Sequence, residues 1–335
     1  MRNVMLVAMF LAAAFPAAAA NLDVYFIDVE GGQATLLVAP SGQSMLVDAG
    51  WPGNNGRDAG RIAAAAKLAG INQIDYLLVT HHHLDHVGGV PEVAAKIPVI
   101  TFVDHGPNTE TDAGARKLSA AYEKAKEGRK HLVVKAGDRI PLEGVDVRIV
   151  ESGGQGIVRP LEGAGAANAV CAGVKPQGAD PSENAQSVGF LLTYGKFRIA
   201  DFGDLTWNKE LALVCPKNLL GAAEVYVVTH HGMDISNSPA IVQALHPKVA
   251  IMDNGAKKGG TPQAWATIKN SPGLEDLWQL HYSIAGGAGH NSPEELIANP
   301  EGGPDQGNWI KLTARADGSF TVLNGRNKFQ KTYRK

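Results

Sequence analysis

The 335-residue chain has little cysteine, no charge excess and no apolar run long enough to cross a membrane comfortably. Its two cysteines, Cys171 and Cys215, are too few and too far apart to make a zinc site by themselves. A disulfide between them and an unpaired buried thiol at Cys215 both remain open. The formal net charge is −2, so composition gives no support to a general nucleic-acid binder with its usual basic excess. The most apolar stretch, Val4 to Phe15, is short. No cysteine follows it, which argues against a lipid anchor.

That stretch instead reads as a targeting segment. Arg2 gives a positive start, Pro16 breaks the run, and Ala18-Ala19-Ala20 supplies small residues for signal peptidase. Residues 1–20 are expected to be a signal peptide cleaved after Ala20. The mature part, 21–335, then forms a single domain in the periplasm or outside the cell, with no membrane association and no stable protein partner. With 44% hydrophobic and 19% charged residues, the chain suits a globular protein with a real core.

The mature part opens with three short apolar runs, Leu22–Val29, Ala34–Ala39 and Ser44–Val47, joined by tight turns that argue for antiparallel pairing. A helix over 57–69 stops at Gly70, and a strand over 74–80 follows. Further strands are expected at 98–103, 132–134 and 145–150, and a helix at 113–127. Residues 151–183, rich in Gly, Ala and Pro, read as a loop insertion, either a binding loop or a segment without function. The second half repeats the pattern: a hairpin over 188–202, a helix near 208–214, strands at 224–229 and 249–252, a helix at 261–270, and a strand pair at 310–315 and 320–324. Strands alternating with helices and hairpins in both halves predict two packed sheets with helices outside, an α/β layered fold.

The chemistry concentrates in Thr80-His81-His82-His83-Leu84-Asp85-His86, which puts four potential metal ligands directly after a strand. Residues two apart in extended backbone point the same way, so His81 and His83 can converge on one cation. Asp85 and His86 lie where the chain turns into a helix and can address a second. Phe202-Gly203-Asp204 and Val228-Thr229-His230-His231-Gly232 place a carboxylate and two imidazoles after other strands. Strand C-terminal ends are where ligand sites gather in layered α/β folds. The mixed nitrogen and oxygen set suits zinc, and also manganese or iron.

The set His81, His83, Asp85, His86, Asp204 and His230 resembles the metallo-β-lactamase superfamily. That resemblance implies an αββα sandwich with two divalent cations, zinc or alternatively manganese, and gives Asp48 of Leu46-Val47-Asp48-Ala49-Gly50 a supporting role. Within the superfamily the chain is most similar to the extracellular hydrolase domain of ComEC-type competence proteins. Phe26-Ile27-Asp28-Val29, Pro40-Ser41-Gly42 and His230-His231-Gly232 with Ser236 and Ser238 carry that likeness. A further metal-binding His usual in the superfamily is absent, and Glu183-Asn184-Ala185-Gln186-Ser187 stands in its region. Asn184 and Ser187 are the candidates to help there. Gln33 replaces an acidic residue typical of the competence group.

The expected mechanism is attack by metal-activated water on a carbonyl or phosphoryl centre, with Asp204 between the cations. Asp85 both binds and orients. His231 either donates to a leaving group or supports its neighbour from behind. His105, His281 and Tyr282 are possible pocket residues, with structural or surface roles as the alternative. Three function classes follow: a phosphodiester or nucleic-acid hydrolase; a carboxylic ester, lactone or β-lactam hydrolase; and a non-catalytic metal-binding protein.

Overall fold

The computed structural model describes residues 21–302 and 305–335; the expected signal segment lies outside them. In chain order the elements are β1 (Leu22–Phe26), β2 (Thr35–Val38), β3 (Ser44–Val47), α1 (Arg57–Leu68), β4 (Ile74–Leu78), α2 (Leu84–Val87), α3 (Val90–Lys96), β5 (Val99–Asp104), α4 (Ala113–Lys126) and β6 (Lys130–Val133). Then come β7 (Arg139–Ile140), β8 (Asp146–Ser152), β9 (Gln155–Gly156), β10 (Gly189–Tyr194), β11 (Phe197–Asp201), α5 (Trp207–Val214), β12 (Val225–Val227), α6 (Pro239–Leu245) and β13 (Val249–Met252). The last are α7 (Pro262–Lys269), β14 (Asp276–His281), β15 (Ile297–Asn299), β16 (Ile310–Ala314), β17 (Phe320–Asn324) and β18 (Gln330–Tyr333).

One sheet runs β18-β17-β16-β1-β2-β3-β4-β5-β6, the other β15-β14-β13-β12-β11-β10-β8-β7 with β9 beside β8. In each, an antiparallel meander turns into parallel strands: β1-β2-β3 then β4, β5, β6, and β8-β10-β11 then β12, β13, β14. Side chains alternate across each sheet. Val24, Phe26, Val47, Phe190, Leu192, Val225 and Ile251 face the gap between the sheets. Tyr25, Leu46 and Leu77 face α1 and α3, packing with Ile62 and Val93. Leu191, Tyr226 and Ala250 pack under α5 and α6 with Leu213 and Ile241. The result is the expected αββα sandwich. Among the described residues no helix is long and apolar enough to cross a membrane.

Besides the two-residue strands β7 and β9, four regular elements escape the periodicity of the sequence. β14 is buried on both faces, with Leu277 toward the helices and Trp278 and Leu280 toward the other sheet, so it has no polar alternation to read. α6 is one short piece behind a Ser238 cap and Pro239. β15 and β18 are strands of three and four residues. The span 151–183 starts with two residues that belong to β8 and otherwise holds β9, a turn of 3-10 helix at Ala169–Gly173 and irregular chain. Cys171 and Cys215 are joined as a disulfide, which settles the choice between bridge and free thiol and fastens this segment to the end of α5. Asn168 adds to the fastening by donating to Val214 O and Ala240 O.

Candidate metal centre

The parallel strands of both sheets deliver their side chains to one end of the sandwich. β4 leads into His81 and His83, and His83 precedes α2, whose single turn carries Asp85 and His86. β11 leads to Asp204, and β12 leads to His230 and His231. Asp204 lies where the two halves meet. Its Oδ2 is 3.2 Å from His86 Nε2, 3.3 Å from His230 Nε2 and 3.9 Å from His81 Nε2, and its Oδ1 is 3.3 Å from His231 Nε2. Asp85 Oδ2 is 3.3 Å from His86 Nε2 and 3.4 Å from His231 Nε2. Asp85, His86, Asp204 and His231 thus offer one ligand atom each, all within 4.8 Å of one another. His81 and His83 form the second group, with Nε2 and Nδ1 only 3.0 Å apart.

Four of the five rings are hydrogen-bonded from behind through their other nitrogen, as metal-binding histidines usually are. His81 Nδ1 meets Thr80 Oγ1 at 3.1 Å, and His83 Nε2 meets Glu110 at 3.2 Å. His86 Nδ1 meets Asp48 at 2.7 Å, His230 Nδ1 meets Ser236 Oγ at 3.2 Å, and His231 Nδ1 lies 3.2 Å from Asp253 Oδ1. The surrounding bonds assign one tautomer. Thr80 Oγ1 donates to Asp48, so it accepts from His81 Nδ1; His81 Nε2 is then a lone pair. His83 Nε2 meets Glu110, which leaves His83 Nδ1 turned toward that lone pair at 3.0 Å. With both rings neutral, the two lone pairs face each other and a shared cation would satisfy both.

The carboxylates tell the same story. Burial pushes Asp204 and Asp85 upward, but the imidazoles of His230, His86 and His231 around them outweigh it and hold both well below the usual carboxylate range. Burial works against protonation of His86, yet Asp204, Asp85 and Asp48 draw it strongly the other way. Burial leaves His81 neutral and pushes His230 down to about 4. Asp204 Oδ1, Asn184 Oδ1 and Ser187 Oγ are buried without a hydrogen-bond partner. This donor set, with facing lone pairs and unpartnered oxygens, fits divalent cations.

The sequence candidates therefore divide. His81, His83, Asp85, His86, Asp204, His230 and His231 come together, with Asp48 directly behind His86. Asn184 and Ser187 are buried beside the segment, where Val188 N donates to Thr80 O. His105 turns to Glu183, 2.9 Å away, and Glu183 also accepts from His82 N and Thr109. His281 joins Asp28 at 2.6 Å and Glu30 at 3.6 Å, with Tyr282 following it in the chain, so neither is part of the His/Asp group. Gln33 donates to Asp201 at 2.7 Å; an acid there would face another carboxylate. Sequence reading passed over Glu110, Asp253 and Lys258, although Asp253 follows its strand as Asp204 does.

Residues 28–174 match the model of the metallo-beta-lactamase superfamily. That match supports the superfamily resemblance on the half of the chain that carries the histidine motif. Among curated proteins, the chain is 37% identical over 109 residues to the hydroxyacylglutathione hydrolase of Klebsiella pneumoniae, covering 30% of this chain and 36% of that protein. It is 31% identical over 118 residues to the same-named protein of Erwinia tasmaniensis, covering 34% and 36%. The chain thus spans about a third of the length of these relatives. Among solved structures, it is similar to the metallo-beta-lactamase fold protein YhfI from Bacillus subtilis at 10% identity and a TM-score of 0.45, covering 77% of this chain and 95% of that one.

Proposed function

We propose that the protein is an exported metal-dependent hydrolase, periplasmic or secreted, that cleaves phosphodiesters with two divalent cations, zinc as the preferred metal and manganese as the alternative. The observation that carries the hydrolase reading is the convergence of His81, His86, His230 and His231 on Asp204, with His83 only 3.0 Å from His81. Asp85, His86, Asp204 and His231 would hold one cation; His81 and His83 would hold the other. Divalent cations held there supply Lewis acidity and make water acidic enough to attack near neutral pH.

The protein's own groups do the rest. Asp48 and Glu110 fix the rings of His86 and His83, so their inner nitrogens need no reorganisation. His81 and His86 are fully buried, while His83 keeps about a quarter of its side chain exposed, so substrate approaches from the His83 side. Asp85 is the more exposed of the two inner carboxylates and would orient the water nucleophile. The ComEC-type motifs favour a phosphodiester. The names of the curated relatives favour a second reading, hydrolysis of an acyl ester such as hydroxyacylglutathione.

The test is metal content and turnover of the purified protein on phosphodiester, single-stranded DNA, hydroxyacylglutathione, ester, lactone and β-lactam substrates, beside His81→Ala and Asp85→Ala. Phosphodiester turnover that both variants lose supports the first reading. Turnover of hydroxyacylglutathione alone moves the substrate to the second. No turnover with zinc or manganese, or full turnover in both variants, overturns the site.

A further inference from the structure

Between β13 and α7 the chain runs Asp253-Asn254-Gly255-Ala256-Lys257-Lys258-Gly259-Gly260-Thr261. This loop closes on itself, with Gly255 N donating to Lys258 O at 2.9 Å. It is also fastened to the histidine turn: Gly260 N donates to His231 O at 2.8 Å and Thr261 N to Gly232 O at 3.0 Å. Two glycines permit the close approach. A Cβ at Gly259 would stand 2.1 Å from His231 O, and one at Gly31 would stand 2.9 Å from Lys258 Cβ. The backbone and Cβ of Lys258 are therefore held against the histidine turn by contacts that do not involve its ammonium.

Its ammonium nevertheless reaches the cluster. Lys258 Nζ donates to Asp85 Oδ2 and stands 5.5 Å from the centre of the Trp51 ring, while about a third of the side chain stays exposed. Asp85 already faces two imidazoles. Once Asp85 shares its charge with a cation, Lys258 is left beside a positive centre that repels it. An anion placed between the two relieves that repulsion. Lysine, a compact charge on a flexible stem, suits a partner that arrives and leaves.

We propose that Lys258 is a substrate anchor that binds an oxyanion, phosphate or carboxylate, of the molecule to be hydrolysed, with Trp51 as the wall beneath it. The proposal rests on the hydrolase reading and narrows its substrates to anionic ones.

The test uses the zinc-loaded protein and reads binding rather than turnover. Titration calorimetry measures inorganic phosphate and acetate against wild type, Lys258→Met and Lys258→Arg, with zinc per chain counted in each. The expected result is about a tenfold or greater loss of anion affinity in Lys258→Met, the scale for one charged hydrogen bond, with much of it kept in Lys258→Arg and zinc unchanged. A phosphate-selective loss assigns a phosphoryl group; an acetate-selective loss assigns a carboxylate. Equal affinity in wild type and Lys258→Met overturns the proposal, and so does a fall in zinc content that accounts for the loss. Lys258-dependent anion binding in a protein that hydrolyses none of the panel would remove the hydrolase reading and leave the anchor standing.

Discussion

In the first sheet, β3, β4 and β5 end in Asp48, the His81–His86 segment and Asp104; in the second, β11, β12 and β13 lead to Asp204, His230–His231 and Asp253. The positions correspond, but the side chains take different depths. Asp48 lies behind His86 and binds Thr80 as well, whereas Asp204 faces the ligand nitrogens directly. Asp104 serves its own sheet, accepting from Tyr122 and His131, while Asp253 stands behind His231. The histidine arms differ most. His81–His86 sits on ordinary extended and helical backbone, with His83 at φ −83°. His230 and His231 both adopt left-handed conformations, φ 54° and 53°. Such backbone costs on the order of 1–3 kcal/mol per residue and persists only where the surroundings enforce it. Here His230 N is tied to Gly203 O, and Asn237 donates to Thr229 O.

That contrast explains what the sequence made legible. The first arm could be read because four potential ligands crowd into six residues on regular backbone. The second could be found, but its roles could not be divided. On extended backbone His230 and His231 would point apart, so one reads as ligand and the other as proton donor. The double left-handed turn instead brings both Nε2 atoms to 3.3 Å from Asp204. Glu110 and Lys258 come from loops whose approach depends on tertiary contacts, and no spacing reveals them. The two-sheet architecture was legible because hairpin and strand–helix patterns recur in both halves. His105 and His281 looked equivalent to the ligands by residue type, but carboxylates from elsewhere in the fold, Glu183 and Asp28, claim them.

The largest expected effect tests whether Asp204 and Asp48 differ as their depths imply. Asp204→Ala should lose most bound zinc and lower kcat by about 10³-fold, the upper range for removing one preorganised electrostatic partner. Asp48→Asn should weaken zinc binding by about 10- to 100-fold, as for a group that orients a ligand. Metal analysis with kinetics on the same samples checks both; equal effects would abolish the distinction. Next, His231→Ala should reduce zinc affinity more than His230→Ala, because His231 belongs to the four-ligand group with Asp85, His86 and Asp204. The reverse order in a zinc titration would exchange the two roles.

The disulfide belongs to the second half alone. It joins residues 44 apart in sequence, and loop closure of that size stabilises by roughly 2–4 kcal/mol. Cys215→Ser should therefore lower the unfolding free energy by about that amount, read by urea denaturation without reductant. Reductant should produce the same loss in wild type and none in the variant.

The last contrast concerns two buried carboxylates, Asp28 after β1 and Glu151 in β8. Burial raises Asp28, but the His281 hydrogen bond and the charges of His281 and Arg61 outweigh it and lower its pKa. Glu151 has no hydrogen-bond partner at either oxygen. Burial lifts it to about 8, and the nearby Lys209 offsets only part of that. The signs are therefore opposite. Asp28 stabilises the fold above its unfolded value of 3.8, and that contribution is lost as pH falls through its lower folded value. The protonated form of Glu151 is preferred in the fold, so its favourable contribution is complete below 4.5 and fades as pH rises toward 8. Glu151→Gln stays neutral throughout. Wild type should lose a few kcal/mol between pH 5 and pH 8 that the variant keeps, read as the difference between their urea midpoints at the two pH values. Parallel pH profiles for the two proteins would mean that Glu151 is already charged in the fold and finds a partner. Its contrast with Asp28 would then vanish.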